Sequence, residues 1–407
     1  MSLQGIFDPV VMAYFENKFG GDGGSSARVA YEKDVNFWDY DGTLLYSYTL
    51  AEARALTGLP PVPDRNKQLV NGSWNWTLEE VNTLERGADI GAVYETKDDA
   101  VYIGLDIISS NNCTIVLNFS GIASIDWGDG TTLDGASSGV SHTYAEIGKY
   151  EIKMLGVTHI GGGTSSTQIV SGEGRKNVVY VYCNGTKCGV KDYCFFGLYA
   201  LETVAVKGSS SRYMFNDSRK LRFFTTNDGE VKYGQFKNCT GLSLVCLPKA
   251  ENYIHGEGYR GCSSLRRLPN ASRIFADGGY QCASCNSVNE VNIAAYGTTA
   301  AAHSCFSARK ITIHEGVTTI QDQSFYNCIA ADIVSVASTV TSIGAQAFQY
   351  CGARLLKFLS ATPPTVANAN AFTSIPADCV VEVPAASLTA YQNATNYASI
   401  AAQMVGV

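Results

Sequence analysis

The chain has 407 residues and a formal net charge of −7, and it is 45% hydrophobic, 16% charged and rich in glycine and tyrosine. It shows no basic stripe and no apolar run of the roughly 18–20 residues that span a bilayer, which argues against a nucleic-acid partner, an anionic membrane surface or a membrane span. The length allows two to four domains, and the composition favours β-rich, turn-rich structure over an α-helical enzyme core.

Residues 1–26 predict a short amphipathic helix from Asp8 to Lys18, followed by a flexible Gly/Ser linker. We expect this helix either to fray or to dock on a partner, for example in a homo-oligomer. The N-terminus lacks the basic region, apolar stretch and cleavage site of an export signal. The expectation is that a signal was removed, or that the protein leaves its cell another way, such as inside a phage particle.

Residues 27–94 predict a small β-rich unit. Two strands joined by an Asp-Gly turn are expected from Val35 to Tyr48, and a helix-forming stretch, a PPVP turn and the strand GSWNW follow. This order of hairpin, proline turn and Gly-x-x-Trp strand is similar to internalin-type B-repeats. The resemblance implies a β-grasp-like fold, although the helix departs from the B-repeat pattern.

The stretch DYDGTLL, from Asp39 to Leu45, carries an enzymatic alternative. It resembles the first motif of haloacid-dehalogenase-like phosphatases, which implies Asp39 as nucleophile and Asp41 as acid/base with Mg²⁺. Such an enzyme also needs a parallel α/β sheet, a lysine and a second acidic pair, for which Lys97-Asp98-Asp99 is the downstream candidate. A hairpin turn explains the same residues without catalysis, so we expect no catalytic residue, metal or cofactor.

Residues 95–165 predict a β-sandwich. Alternating apolar residues in TIVLNF and KYEIKML indicate half-buried antiparallel strands. The Trp127-Gly-Asp-Gly130 turn, His142-Thr-Tyr144 and the Gly148-x-Tyr150 step are similar to PKD-type domains. This resemblance implies a spacer or a weak binder and no catalysis.

The second half of the chain carries an internal repeat. ITIHEGVTTIQDQSFYNC from Ile311 and VSVASTVTSIGAQAFQYC from Val334 match at six apolar positions, all offset by 23 residues, with Phe325 opposite Phe348. A unit of this length cannot bury its apolar face alone. The units are therefore expected to stack as coils of one solenoid, with strands about 4.8 Å apart.

Counting along the chain in both directions at about this spacing predicts an aromatic position in each coil and a cysteine position three residues later. The aromatic position is expected at Phe195, Tyr213, Phe236, Tyr259 and Phe372, with cysteine instead at Cys282 and Cys305. The cysteine position is expected at Leu198, Asn216, Cys239 and Cys262. One coil, from Cys305 to Phe325, is expected to be shortened to 20 residues.

The pattern I-x-x-x-V-x-x-I-x-x-x-x-F-x-x-C resembles the BspA-like (type 5) leucine-rich repeats of bacterial surface proteins. The resemblance implies a solenoid over residues 166–375 and a C-terminal cap over 376–407, where a V-x-V-P strand leads into a helix near Ala386. A cap is physically required, because the last coil would otherwise expose its core.

Three groups of residues carry metal or redox alternatives. Asp126 and Asp129 suggest Ca²⁺, but two carboxylates fall short of the six to eight oxygens that calcium prefers. Cys282 and Cys285 suggest a redox or zinc pair, although both occupy positions in the repeat. Cys183 and Cys188 flank an Asn-Gly turn, and whether they form a disulfide stays open.

The sequence thus predicts a mainly β, multidomain protein: β-grasp-like unit, PKD-like β-sandwich, then a capped leucine-rich-repeat solenoid. We expect a non-catalytic, extracellular or cell-surface binding and adhesion protein that contacts a host or bacterial surface protein or glycan. The alternative is a phage virion-associated structural or receptor-binding protein. The expected contact residues are polar positions of the solenoid strands and the turns after them: Thr312, His314, Glu315 and Ser335.

Overall fold

The computed structural model describes residues 33–407 except 66, 86, 109–112, 185–186, 208–209, 249–252, 269–272, 275–278 and 294–301. The predicted N-terminal helix and linker lie outside the described residues. Within the described part, the fold is mainly β, as predicted.

The first described unit is a four-stranded sheet with two short helices. Its strands have the order β2-β1-β4-β3, in which β1 runs antiparallel to β2 and parallel to β4. The strands are β1 (Val35–Trp38), β2 (Leu44–Tyr48), β3 (Leu69–Trp74) and β4 (Ala88–Thr96), and the helices are α1 (Leu50–Arg54) and α2 (Leu78–Asn82). Both helices begin at a threonine that forms a capping box with a glutamate three residues later.

The predicted hairpin is present between β1 and β2. Asp39 N donates to Thr43 O at 2.8 Å, and Gly42 N donates to Asp39 O at 3.0 Å. Gly42 has a φ of +86°, a conformation that favours glycine because it has no Cβ. The Asp-Gly pair therefore serves as a turn.

Two antiparallel sheets follow and share one core. The larger contains β5-β10-β7-β8 and the smaller β11-β6-β9. Their bounds are β5 (Val101–Ile107), β6 (Cys113–Leu117), β7 (Phe119–Asp126), β8 (Thr132–Ala136), β9 (Val140–Tyr144), β10 (Gly148–Ile160) and β11 (Val170–Ser171). Ile115 and Leu117 from one sheet meet Ile152 and Met154 from the other in a single hydrophobic cluster.

The larger sheet continues into the solenoid. Strand β12 (Val178–Cys183) pairs antiparallel with β5 and parallel with β14 (Thr203–Val206), so the sheet runs through the boundary expected at residue 165. A short strand, β13 (Gly189–Val190), adds to β10. The two antiparallel sheets and the solenoid consequently share one apolar core. The predicted boundaries between domains are not tested by this arrangement and stay predictions.

The solenoid makes about nine turns over residues 180–406. Its main column of parallel strands starts at β12 and β14 and continues with β15 (Phe223–Thr225), β17 (Leu244–Cys246), β20 (Glu290–Ile293), β21 (Lys310–Ile313), β23 (Ile333–Val336), β25 (Leu355–Phe358), β27 (Val380–Val383) and β28 (Met404–Gly406). A second column of two-residue strands contains β16 (Glu230–Val231), β18 (Tyr253–Ile254), β19 (Arg273–Ile274), β22 (Thr319–Ile320), β24 (Ser342–Ile343) and β26 (Thr365–Val366). Short 3₁₀ helices lie at Lys97–Asp99, Glu173–Asn177, Ala369–Phe372, Ala385–Ser387 and Ala401–Gln403.

A column of stacked rings fills the centre of the solenoid. The rings of Phe325 and Phe348 lie 5.3 Å apart at an interplanar angle of 15°, which confirms that the two repeats share one core. The same stacking, at 5.2–5.9 Å, joins Phe195 to Phe215, Phe215 to Phe236, Phe236 to Tyr259, and Phe348 to Phe372.

A second column lies three residues further along each coil and consists mainly of thiols. Cys262 Sγ donates to Phe236 O at 3.0 Å, and Cys285 Sγ donates to Tyr259 O at 3.1 Å. The same bond, from each coil to the coil before it, joins Cys239 to Phe215, Cys305 to Cys282 and Cys328 to Ala302. The thiols thus fill a narrow space and satisfy a backbone acceptor in the neighbouring coil.

The structure corrects the repeat register at two places. The ring position that was expected at Tyr213 belongs to Phe215, and the position expected at Asn216 belongs to Ser218, whose Oγ donates to Phe195 O at 2.7 Å. The reason is that Phe195, Phe215 and Phe236 are separated by only 20 and 21 residues, so a fixed count of 23 drifts by two.

The second correction concerns Cys305. It occupies the thiol position and not the ring position, because its Sγ donates to Cys282 O at 2.9 Å. Ala302 takes the place of the ring, so the 20-residue coil lies between Cys282 and Ala302 and not between Cys305 and Phe325.

The C-terminal segment closes the last coil. After β27 and the 3₁₀ turn at Ala385–Ser387, helix α3 (Leu388–Gln392) leads to β28, which pairs with β27. Tyr391 and Tyr397 are fully buried, and their rings lie 5.5 and 6.0 Å from that of Phe358. The cap therefore covers the end of the core, as the repeat pattern requires.

We predict that Phe348→Ala lowers the free energy of unfolding by about 3–5 kcal/mol, because it leaves a cavity between two stacked rings. Guanidinium denaturation followed by circular dichroism measures this loss. Phe306→Ala is the matched control, since that ring is 38% exposed and its removal creates no closed cavity. Equal losses for the two variants would contradict a continuous ring column.

We also predict that the thirteen cysteines, all free and buried, are protected from alkylation in the native protein at pH 8. Burial raises the pKa of the Cys351 thiol from 9.0 to about 12, which disfavours the reactive thiolate. Mass spectrometry after iodoacetamide treatment, with and without denaturant, counts the modified thiols. Rapid labelling of Cys351 without denaturant would contradict its placement.

The raised pKa of Cys351 also gives a pH dependence of stability. Well below pH 9.0 this thiol is protonated in both states, and its contribution is fully present. Between pH 9.0 and about 12 the unfolded chain releases protons that the folded chain keeps, so the free energy of unfolding decreases.

Candidate functional site

The main strand column has an inner and an outer face, because side chains alternate along each strand. Inner residues such as Ile311, Ile313, Val334 and Val336 are buried in the core. The outer face is the surface that a partner would meet. It divides into a covered half and an open half.

The N-terminal four-stranded unit covers the outer face of β12, β14, β15 and β17. Trp38 packs on Phe223, Leu244 and Cys246, and the Trp38 and Phe223 rings lie 6.2 Å apart. A second cluster covers the two preceding strands. Leu69, Ala92 and Tyr94 pack with Ala205 on β14, and Tyr40 packs with Tyr182 on β12. As a result Phe223 is only 4% exposed.

Polar groups of the same unit bind backbone oxygens at the ends of these strands. Asn75 Nδ2 donates to Thr226 O at 2.9 Å and to Cys246 O at 3.2 Å, and Trp76 Nε1 donates to Leu247 O at 2.7 Å. The Asp89 carboxylate forms an ion pair with Arg267 at 2.5 Å. Because these acceptors are covered by the unit, the donors replace the water that would otherwise satisfy them.

Gly91 marks the closest approach of the unit to the solenoid. A Cβ at Gly91 would lie 1.9 Å from Thr225 Oγ1 and 2.9 Å from Cys246 Cβ. Only a residue without a side chain lets β4 lie this close to β15 and β17.

The outer face of β21, β23, β25, β27 and β28 has no such cover among the described residues. We call it the open strand face. One row runs across the strands through Thr312, Ser335, Lys357, Glu382 and Val405. A second row runs through Lys310, Ile333, Leu355 and Val380.

The open strand face combines aliphatic and charged groups. Ile333 is 38% exposed and Val380 is 42% exposed, about ten times as much as Phe223 on the covered half. Lys357 Nζ lies 2.8 Å from a carboxylate oxygen of Glu382, and Lys310 forms an ion pair of the same length with Glu290. An aliphatic stripe with charged neighbours is thus exposed on a rigid sheet.

Of the four predicted contact residues, Thr312 and Ser335 are register partners on the open strand face. His314 lies directly after β21, half-buried, and its backbone N donates to Ile293 O. Glu315 lies in the turn beyond, where its carboxylate accepts from Ser338 N at 2.9 Å and from Ser338 Oγ at 3.0 Å. These bonds lower the pKa of Glu315 and tie two coils together.

The aliphatic row was missed by the sequence reasoning, which looked for polar positions only. The signal was nevertheless present, because Ile333, Leu355 and Val380 occupy the outward position one residue before the first buried residue of each strand. An aliphatic residue repeated at an outward position indicates a contact surface rather than core.

A family model for the BspA type leucine rich repeat region matches six copies in this chain, over residues 189–308 and 298–389. The solenoid belongs to this family. The match does not extend to residues 27–165, so the PKD-like and internalin-like resemblances stay predictions.

Two solved structures are similar to this chain. A leucine-rich repeat protein from Bacteroides ovatus ATCC 8483 has 16% identity and a TM-score of 0.40, over 69% of this chain and 65% of that chain. A leucine rich cell surface protein from Faecalibacterium prausnitzii A2-165 has 15% identity and a TM-score of 0.33, over 57% and 78%. The chain therefore spans less than two thirds of the length of the first of these proteins. No curated protein matches.

The phosphatase hypothesis concerns the turn between β1 and β2, in the unit that packs on the solenoid. Asp39 is fully buried, forms an ion pair with Arg65 and accepts a hydrogen bond from Tyr94 Oη at 2.9 Å. The Asp41 carboxylate instead faces solvent and accepts from Thr43 N. The two carboxylates thus have different partners, and Asp98 pairs with Lys153. The hairpin interpretation explains the motif.

The other chemical alternatives have structural roles. Asp129 accepts from Thr131 N at 3.0 Å and from His142 Nε2 at 2.7 Å, and Asp126 accepts from Gly128 N, so these carboxylates shape the turn. Cys183 and Cys188 are both free and buried. Within the part of the chain that the structure describes, no group of three metal-binding side chains occurs, and no helix is long and apolar enough to cross a membrane.

We predict that Gly91→Ala lowers the free energy of unfolding by about 1–3 kcal/mol, because the new methyl group overlaps Thr225. Guanidinium denaturation gives this value, and limited proteolysis reports whether the N-terminal unit detaches. Gly58→Ala is the control in the same unit, since a Cβ there meets nothing within 4 Å. A Gly91→Ala protein as stable as the wild type would contradict the close docking.

Proposed function

We propose that this chain is a surface-binding protein that holds a protein partner on its open strand face. The contrast between the two halves of the outer face carries the proposal. The first half is filled by the chain's own N-terminal unit, whereas equivalent positions on the second half are exposed and partly aliphatic.

The chemistry of the open strand face favours a protein over a glycan. Removing the exposed Ile333 and Val380 and the half-buried Leu355 from water against another apolar surface would stabilise a complex. The charged pair Lys357 and Glu382 beside them resembles the polar rim of a protein interface. Neither row contains an aromatic ring on which a sugar would stack.

The BspA-type repeat supports a location of this proposed function at a cell surface. Proteins with this repeat are typically surface-associated, which agrees with a binding and adhesion role. The family match gives no support to the virion hypothesis. No catalytic role is proposed, because the residues of the candidate phosphatase motif are engaged in the hairpin and its ion pair.

The test is a binding screen of the whole chain against extracellular-matrix and bacterial envelope proteins, with a glycan array in parallel. We expect a protein ligand whose affinity falls at least about tenfold for Ile333→Glu, because a charge replaces a buried contact at the centre of the interface. The Lys310 ammonium opposite position 333 in the register helps the variant to stay folded.

Ile147→Glu is the matched control, since Ile147 is 58% exposed and lies between β9 and β10, away from the open strand face. Its affinity is expected to equal that of the wild type. Unchanged binding by Ile333→Glu, or binding to glycans alone that both variants retain, would contradict the proposal.

A further inference from the structure

A polar cleft of about 400 Å³ lies where the sandwich meets the first coils of the solenoid. Gly163 contributes the loop after β10, Val190 ends β13, and residues 191–192 follow it. Residues 210–212 come from the next coil, and Lys232 follows β16. None of these residues belongs to the open strand face.

Three cations from successive levels of the fold line this cleft: Lys191, Arg212 and Lys232. Lys191 Nζ donates to Ser120 Oγ at 3.0 Å, and Lys232 forms an ion pair with Glu230, so both side chains are held in place. Arg212 is exposed, and its guanidinium forms no ion pair with any described residue. We call this site the cationic cleft.

The cationic cleft stands out against the charge of the whole chain, which is −7. A guanidinium without a partner presents a planar set of donors that matches a carboxylate in a two-point contact. Lys191, whose ammonium donates to a neutral hydroxyl, adds positive potential beside it, whereas Glu230 offsets the charge of Lys232. An anionic group is therefore attracted to the position between Arg212 and Lys191.

The remaining lining indicates what else the ligand carries. Ser210 offers a hydroxyl group, whereas Ser211 is largely buried and its Oγ donates to Lys191 O at 3.0 Å, which leaves it able only to accept. Asp192 offers a carboxylate whose Oδ1 accepts from Arg212 N at 2.8 Å. Of the described residues that line the cleft, Val190 is the only one with an aliphatic hydrocarbon side chain. An apolar peptide side chain would gain little here, whereas a ligand rich in hydroxyl groups finds both donors and acceptors.

We propose that the cationic cleft binds an acidic saccharide through its carboxylate. The carboxylate pairs with Arg212 beside Lys191, and hydroxyl groups of the sugar bond to Ser210, Ser211 and Asp192. Asp192 disfavours a bare polyanion, because it places a negative charge in the same cleft. This site would give the chain a second ligand, separate from the protein partner of the open strand face.

The experiment measures binding of the whole chain by isothermal titration calorimetry at low salt. The probes are digalacturonate, a hyaluronan tetrasaccharide and sialyllactose, each compared with its neutral methyl ester, and inorganic sulfate serves as a simple anion. We expect at least one acid to bind at least about tenfold more tightly than its ester, since a charge-assisted contact is lost on esterification. Added salt should weaken this binding.

Two arginine variants decide whether the binding occurs in the cleft. Arg212→Glu is expected to lower the affinity for the acid at least about tenfold. Arg222→Glu, which changes another exposed arginine outside the cleft, is expected to leave it unchanged. Matching unfolding curves for the two variants would show that the loss in Arg212→Glu does not come from misfolding.

The proposal is overturned if no acid binds, if the esters bind equally well, or if sulfate competes as strongly as the saccharide. It is also overturned if both arginine variants lose affinity to the same extent. Binding of a protein partner to the open strand face in the Arg212→Glu variant separates this outcome from a failure of the proposed function.

Discussion

A coil of about 23 residues can bury its apolar side chains only against the coils on either side of it, and the structure depends on that constraint. The ring column supplies the volume, and the thiol column supplies a compact group that also donates to the preceding coil. Ser218 shows what this second position requires, because it keeps the hydrogen bond after the sulfur is replaced by oxygen. A small side chain with a donor therefore suits this position in these coils, whereas the first coil carries Leu198 there.

The same constraint decides where the surface can bind. Once one side of each strand is fixed in the core, the other side faces outward, coil after coil. Among the described residues, the N-terminal unit covers the outer side of the first strands, and no comparable unit covers the later ones. Recognition residues are consequently held on a sheet whose position is set by the core, so little ordering is required when a partner binds.

The sequence predicted those features that repeat along the chain. Phe325 and Phe348, or Cys262 and Cys285, share a position because the coils between them have the same length. Phe215 and Ser218 were missed because two shorter coils shift the count, and a turn that loses two or three residues leaves no periodic signal. The exposed aliphatic row was missed for a different reason, since only polar positions were considered as contacts.

Contacts between distant segments could not be predicted from the sequence, because nothing near either residue along the chain identifies its partner. Asn75, Trp76 and Gly91 read locally as ordinary strand or turn residues, and only their partners in the solenoid show what they do. Asp39 is the clearest case, because the same letters suit a nucleophile or a hairpin. Its burial against Arg65 and Tyr94 agrees with the hairpin.

The docking of the N-terminal unit also has a consequence for biosynthesis. Asn75 and Thr226 are separated by 151 residues, and Asp89 and Arg267 by 178 residues. At ribosomal speeds of about 5–20 residues per second, the unit emerges roughly 10–30 s before the coils that receive it. During that interval Trp38 and Tyr40 lack the solenoid residues on which they pack in the folded protein. Nascent chains on one messenger RNA are then most exposed to one another, and a slower start of translation would space them apart.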